Sequence, residues 1–334
     1  MRVLVLGDDW YGSNVTSLAD GFARAGHEVA LVDSTPVSAP ARLSVPWLYK
    51  RVRGVRAPWQ VDGVHTELEQ AVTAFRPELL LAFKSIHLDQ DRLLRLPVPI
   101  KVHYSPDDVA NPENTTPAYL DHEHRWDCVV TTKVHNVAEL RERGARDVLY
   151  VHSAYDPAWH HPRAPRGGRR YLAGFIGARR PDRRRLINDL ATEFGEQFYL
   201  AGPGWRRAPE LQRSAATVTG GRFGGELSRA IAAVTANLVL LNSDNRDTHT
   251  CRTFEVPAAG GLFVGQRTDQ HRELLTEGRE ALLFDDETEL RDHLHRCRRD
   301  PEGVRRIAAA GHQRIVTGGH SYRHRAEEIV AHVA

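Results

Sequence analysis

A chain of 334 residues that is 41% hydrophobic can bury real cores, and its length suits two domains better than one. Its 45 Lys and Arg against 43 Asp and Glu leave a formal net charge of +2, too balanced for a protein that grips the phosphate backbone of a long nucleic acid. Three cysteines, Cys128, Cys251 and Cys297, are an odd number without metal-ligand spacing, which points to a reducing compartment and away from a disulfide framework or a zinc knuckle.

The N-terminal MRVLVLGDDW is a short apolar run that soon meets Gly and Asp, so it reads as a strand and not as a signal peptide. No stretch approaches the roughly 18 apolar residues that span a bilayer, and the expected location is the cytoplasm without stable membrane insertion. Nearly all cations are Arg, with Lys only at 50, 84, 101 and 133, as the bias of a GC-rich genome would produce.

In chain order, RVLVLG leads to a helix with Leu18, Phe22 and Ala25 on one face, closed by Gly26, and then to EVALVD. Further buried runs are ELLLAF (78–83), PIKVHYS (99–105), CVVTT (128–132) and DVLYVH (147–152), with a helical pattern over 134–143. Continuous apolar runs of this length suit parallel strands covered on both faces. AWHHPRAPRGGRR (158–170) breaks the pattern and reads as a linker. A second alternating set follows: YLAGFIG, a helix over 182–194, FYLAGPG, a helix over 225–234, NLVLLN, a helix near 250–259, LFVG and ALLFDD. Helices over 287–299 and 301–311 and an apolar-faced tail complete the chain. The fold class expected is α/β, two doubly wound Rossmann-like domains facing each other across a cleft. The divisions expected are 1–160, 161–319, and a final helix over 320–334 that crosses back to the first domain.

Ligands of open parallel sheets bind beyond the carboxyl ends of the strands, so residues just after each strand carry the candidates. LGDDWYGSN offers Trp10, Gly12, Ser13 and Asn14, while Asp8 and Asp9 would repel a phosphate, so a neutral, sugar-like ligand fits better than a dinucleotide. A tight turn with Ser13 or Asn14 as helix cap is the alternative. YSPDDVANPENTTPAY carries Asp107, Asp108 and Asn114 after the strand that contains His103, residues suited to a general base or to holding hydroxyls. A solvated, capped turn is the competing reading.

FIGARRPDRR places Gly177, Arg179 and Arg183 before a helix, where close backbone approach, the helix dipole and planar guanidinium forks would receive a diphosphate. A solvated basic turn would look the same. In LNSDNRDTHTCRTFEVPAAGG, Asp247 and Glu255 lie eight residues apart with Arg246, His249 and Arg252 among them. Pro257 belongs in a first turn, so the helix holding Glu255 is expected to start close to it and to aim its positive end at the ligand. A carboxylate there can take two ribose hydroxyls. The alternative is an Arg252–Glu255 ion pair, worth about 0.2–0.5 kcal/mol if exposed.

The stretches GDDWYGSN, SPDDVANPEN, TTKVHNVAELRERGAR, YDPAWHHP, FIGARRPDRR, GPGW, NRDTHTCRTFEVPAAGG and HSYRHRAEEI run nearly end to end, and the chain resembles in them the spore-maturation (CgeB-like) branch of the group 1 glycosyltransferases. The resemblance implies a GT-B fold and transfer of a sugar from a nucleotide diphosphate, UDP favoured, to an acceptor that is a small molecule, a glycan or a protein. By resemblance Glu255 holds the ribose, and Arg252, Arg183 and the amides at Gly177 hold the diphosphate. Arg179, Gly202, Trp205, Arg246, His249 and Thr250 are grouped with the same donor site. Asp247 stands where related retaining enzymes carry a Glu near the donor sugar, and the shorter side chain leaves that role open.

A positive helix end with Arg252 and Arg183 would stabilise the leaving diphosphate without a metal or other cofactor, and no clear Asp-x-Asp metal clamp appears. Retention of configuration, in which the leaving phosphate takes the acceptor proton, is favoured over inversion, which would need Asp107, Asp108 or His103 as base. A nucleotide-sugar epimerase and a catalytically silent nucleotide-sugar-binding protein are the other readings, and monomer and homodimer stay equally open.

Overall fold

The computed structural model describes residues 1–164 and 168–334, which form two units: Met1–His152 with Tyr322–Ala334, and Ser153–Ser321. Residues 165–167, part of the expected linker, lie outside the described residues.

The first unit is built on six parallel strands, β1 (Arg2–Gly7), β2 (Glu28–Asp33), β3 (Leu79–Phe83), β4 (Ile100–Ser105), β5 (Cys128–Thr131) and β6 (Val148–Tyr150), in the order β2-β1-β3-β4-β5-β6. Val3 to Leu6 on β1 and Leu79 to Ala82 on β3 are fully buried and in register, Val3 opposite Leu79, as expected of strands covered on both faces. The helix Pro58–Phe75 sends Val64, Leu68 and Val72 into the same core as Leu4, Leu6 and Leu80. The helix Asn14–Arg24 buries Leu18 and Phe22 and packs against the last helix, Tyr322–Val333. Their approach is close enough that a Cβ on Gly21 would stand 2.5 Å from the Tyr322 carbonyl oxygen. His332 Nε2 ties that final helix to Asp147 Oδ2 at 2.6 Å.

The second unit carries β7 (Tyr171–Ile176), β8 (Phe198–Ala201), β9 (Thr217–Thr219), β10 (Val234–Val239), β11 (Leu262–Gln266) and β12 (Leu282–Phe284), again all parallel. Their order, β12-β11-β10-β7-β8-β9, is that of a dinucleotide-binding sheet, with the order reversing between β7 and β10. Helices Arg184–Phe194 and Glu287–Arg299 cover one face through Ile187, Leu190, Leu290 and Leu294. Helices Gly224–Ala233 and Cys251–Ala258 cover the other through Leu227, Ile231, Phe254 and Ala258.

Residues 153–164 are packed parts of the second unit and not a linker. The Ser153 N–H donates to His249 Nε2 at 3.0 Å, and the Ser228 hydroxyl donates to the Trp159 carbonyl at 2.7 Å. The helices Val45–Arg53, Pro58–Phe75 and Asp269–Leu274 and the edge strand β9 are additions to the elements expected from sequence. No helix among the described residues is long and apolar enough to cross a membrane.

Candidate functional site

At the switch point of the second sheet, the helix Cys251–Ala258 begins against the carboxyl end of β7. Thr250 is its N-cap: the Thr250 hydroxyl accepts from Arg252 N, and the Thr250 N–H donates to Thr253 Oγ1 at 3.1 Å. Thr253 Oγ1 lies 3.0 Å from His271 Nε2, and His271 Nδ1 lies 2.7 Å from the Gln266 carbonyl. A carbonyl only accepts, so Nδ1 carries the proton and Nε2 accepts from the Thr253 hydroxyl. Burial lowers the His271 pKa and keeps the ring neutral, as this chain of bonds requires. The helix therefore starts six residues before Pro257, not close to it. Pro257 lies inside the helix, one residue before its end, and gives up the bond to the Thr253 carbonyl that an N–H there would make.

This start puts Arg252 on the first turn. Its Nε donates to the Ile176 carbonyl at 3.2 Å, and its Nη1 pairs with Glu255 Oε2. The two charges that sequence reading assigned to separate parts of a nucleotide are thus partners here, three residues apart on one helix. The Glu255 side chain is only 6% exposed, and its other oxygen, Oε1, lies 3.6 Å from His160 Nε2. His160 Nδ1 accepts from the Asp156 N–H at 3.0 Å, which leaves Nε2 as the protonated nitrogen facing Glu255. Burial lowers the His160 pKa, and Glu255 opposes that shift.

Around this corner Gly177, Arg183, Asn242, Thr250 and Arg252 line a cavity of about 280 Å³. An adjoining cavity of about 360 Å³ is lined by Arg183, Arg246, Asp247 and Gln266. Several donor-site expectations change. The Gly177 N–H donates to the Ala201 carbonyl at 2.9 Å and the Arg179 N–H to the Pro203 carbonyl at 3.0 Å, so neither amide is offered to an anion. Gly202 serves close packing: a Cβ there would stand 2.0 Å from the Gly177 oxygen. Trp205 is a core residue, with its indole N–H on the Gly177 carbonyl at 2.8 Å. Arg179 pairs with Glu210 at 2.7 Å.

Arg183 is buried, lies over the Phe175 ring, and donates to the Leu241 carbonyl and to Asn242 Oδ1. It holds the loop after β10 instead of presenting its fork. Asp247 does related work: Oδ2 accepts from the Asn242 side-chain amide at 2.6 Å, and Oδ1 from that of Asn245 at 2.8 Å. Arg246 takes a left-handed backbone conformation at φ 42° between them. His249 is fully buried, bonded at Nδ1 to Gln270 Oε1 at 2.7 Å and at Nε2 to Ser153 N, and supports the loop from below.

In the first unit, Trp10, Ser13 and Asn14 line a cavity of about 370 Å³ beside Asp8, Arg56, Lys84 and His87, at the switch point between β1 and β3. Ser13 caps the helix Asn14–Arg24, and Gly12 turns the chain at φ 80°. Asp8 Oδ1 accepts from Ser34 and Ser38 hydroxyls. Lys84 Nζ binds both Asp107 and Asn114, the latter at 3.3 Å, which joins those two candidates through one ammonium. Asp108 is buried and accepts from Ala110 N at 3.0 Å as a turn residue. His103 is wholly enclosed, with Nδ1 on the Tyr119 hydroxyl at 2.8 Å, and burial pushes its pKa down to about 3. A core imidazole of that kind is not a base for an acceptor.

Residues 179–331 match the family described as Glycosyl transferase-like. The two parallel six-stranded sheets with interspersed helices match GT-B glycosyltransferase structures. Comparison with curated proteins finds no match. Among solved structures, the whole chain is similar to Anabaena Alr3699/HepE in complex with UDP-glucose, at 14% identity over 100% of both chains with a TM-score of 0.66. The trehalose-6-phosphate synthase OtsA gives 13% identity over 99% of this chain and 98% of that one, TM-score 0.66. A putative UDP-N-acetylglucosamine 2-epimerase from Listeria monocytogenes gives 10% identity over 99% and 95%, TM-score 0.59. At these identities the likeness is one of fold.

In the second unit, the site residues that sequence reading missed are His160 and Asn242. His160 was hidden in a stretch whose Pro, Gly and Arg content imitates a linker. In the first unit the missed residues are Arg56, Lys84 and His87. The His87 pKa is pushed down to about 4, first by burial and then by Arg56, Lys50 and Lys84. Among the described residues one group, Cys128, Asp147 and His332, has donor atoms near enough to share an ion. It lies at the amino end of β5, away from the strand ends described above, and burial with Asp147 raises the Cys128 pKa to about 12.

Proposed function

We propose that the protein is a glycosyltransferase of the CgeB-like type that moves a sugar from a nucleotide diphosphate, UDP favoured, to an acceptor. The observation that carries this reading is the position of Arg252, on the first turn of a capped helix and bonded to the last carbonyl of β7, at the switch point of a domain that matches glycosyl transferases. A positive helix end and a guanidinium together favour the diphosphate, and more so as negative charge grows on it during departure. Glu255 offers two acceptor oxygens for a ribose diol once Arg252 turns to the phosphates, with His160 left as its neighbour. The solved complexes of HepE with UDP-glucose and with UDP support the choice of UDP, as properties of a protein of like fold.

The acceptor is assigned to the first unit, where Trp10, Ser13 and Asn14 line a cavity with the Lys84–Asp107–Asn114 group nearby. Retention of configuration is the mechanism proposed, with the leaving phosphate taking the acceptor proton and no step routed through a metal. The core position of His103 supports it by removing one candidate base, and the Lys84 contact gives Asp107 a different task.

The test is to incubate the protein with a panel of nucleotide sugars, with and without acceptor extracts, and to follow nucleotide release and sugar identity. Acceptor-dependent release of UDP is expected. Conversion of the sugar to its epimer without an acceptor would replace the reading by an epimerase, and tight UDP binding with no turnover by a silent binding protein.

A further inference from the structure

The helix Val45–Arg53 in the first unit has no buried residue. Of the 11 exposed large hydrophobic residues among those described, six fall between positions 43 and 59: Leu43, Val45, Leu48, Val52, Val55 and Trp59. Val52 is 80% exposed and Leu43 69%. Scattered single apolar residues need no explanation, but a cluster of this kind marks an interaction surface. Val45, Leu48 and Val52 stand at i, i+3 and i+7 and so share one helical face. Lys50, Arg51 and Arg53 come from the flanks and back of the same helix, and Arg42 and Arg56 from its two ends. Between Asp33 and Asp62 the chain has no carboxylate, and among the described residues none of these five cations makes an ion pair. Arg51 lies over the Trp47 ring at 5.6 Å, and Tyr49 packs edge-on against Trp59 at 5.1 Å, so the aromatic residues brace the segment from within.

We infer that residues 42–59 are a docking surface for an anionic lipid bilayer. An apolar helical face flanked by Arg and Lys suits the boundary between acyl chains and headgroups, where the apolar side chains enter and the long cationic ones reach back to phosphate. Neither property alone selects this partner. A neutral apolar partner would leave the four exposed cations, Arg42, Lys50, Arg51 and Arg53, unpaired, and a purely polyanionic one would leave six apolar side chains wet. A second copy of the chain meeting this face with its own would oppose like charges, because a two-fold interface sets a patch against itself. Arg56, within this segment, lines the first unit's cavity, so a docked molecule holds that cavity beside the lipid surface. The inference does not depend on the proposed transfer reaction.

The experiment is sedimentation of the full chain with phosphatidylcholine vesicles, with and without 30–40% phosphatidylglycerol as a rough starting composition, at low and high salt. Binding is expected only to the anionic vesicles and is expected to weaken with salt. Each cation near such a surface contributes on the order of fivefold, so Lys50→Gln, Arg51→Gln and Arg53→Gln together should weaken binding about 100-fold. Leu48→Asp with Val52→Asp should abolish it with the melting temperature unchanged, since both side chains are exposed. Equal binding to neutral vesicles, or wild-type binding by both variants, would overturn the inference. So would gel filtration showing a dimer that the Leu48→Asp, Val52→Asp variant dissolves, or no vesicle binding with capture of an acidic peptide in its place.

Discussion

Arg252 bridges two carbonyl-side groups: its Nη1 pairs with Glu255 Oε2 on its own helix, and its Nε donates to the Ile176 carbonyl at 3.2 Å at the end of β7. The pair is lopsided, because Glu255 is enclosed while Arg252 is about a quarter exposed, at 6% and 27%. Only the guanidinium has room to turn outward, and when it does the buried Glu255 carboxylate keeps His160 Nε2, at 3.6 Å, as its neighbour and needs a new donor such as a ribose hydroxyl.

Arg252→Ala is therefore expected to do two things. It should weaken UDP binding about 10- to 100-fold and cost about 1–3 kcal/mol of stability, since a charged hydrogen-bond acceptor loses its partner. Arg252→Lys should restore little, because one ammonium cannot serve a carbonyl and a carboxylate as a planar fork does. Calorimetric titration and denaturant unfolding check the two effects separately. A loss of stability with unchanged UDP affinity would reduce the pair to a structural one.

The start of the same helix depends on Thr253, whose hydroxyl receives the Thr250 N–H and donates to His271. Thr253→Val keeps the shape and removes both bonds. It should cost about 1–2 kcal/mol, the range of a lost cap, and lower donor affinity by displacing Arg252. Thr253→Ser should recover most of each, which urea unfolding and titration would show.

Gly202→Ala tests the close contact behind Gly177. Its φ of 148° is a backbone region that side chains avoid, and the added Cβ would lie 2.0 Å from the Gly177 oxygen. A loss of about 1–3 kcal/mol or more is expected by thermal or urea unfolding. A neutral outcome would mean that the 177–202 contact is loose in solution.

Acid should destabilise the first unit through His103. Its folded pKa of about 3 lies below the ordinary imidazole value, so between the two the unfolded chain binds the extra proton. Stability from this group is complete above about pH 6.5 and falls as the pH drops toward 3, by about 1.4 kcal/mol per unit. In His103→Leu the slope of unfolding free energy against pH between 4 and 6 should be shallower by roughly that amount. An unchanged slope would place the acid sensitivity in other groups.

Asp107→Asn separates the two stereochemical courses. With a retaining mechanism turnover should stay within about tenfold of wild type, whereas loss of a general base costs roughly 10²–10⁴. Initial rates at saturating donor, with UDP affinity measured alongside, decide between them.

Much of the architecture was legible in the chain because hydrophobic periodicity reports which face of an element is buried. RVLVLG, ELLLAF and YLAGFIG suit strands covered on both sides, and all three are interior strands of their sheets. Segments with weaker patterns were missed: Val45–Arg53 buries nothing, and β9 spans three half-buried residues. The site was legible as a region, the polar loops after the strands, and less so residue by residue. Trp205, His249 and His103 have the residue types of a binding site and are core groups, because each finds its hydrogen-bond partner within the fold.

The sequence alone determined the alternation of strands and helices, the two-sheet plan and the stretch around Arg252 as the place to look. Tertiary structure decided which polar groups are partners. Apolar patterning is local and repeats within one element, whereas a hydrogen bond needs two atoms brought together from segments such as Ser153 and His249, 96 residues apart. No spacing rule in a single chain encodes that meeting, so the pairing of Arg252 with Glu255 and the approach of His160 to it became visible only in the fold.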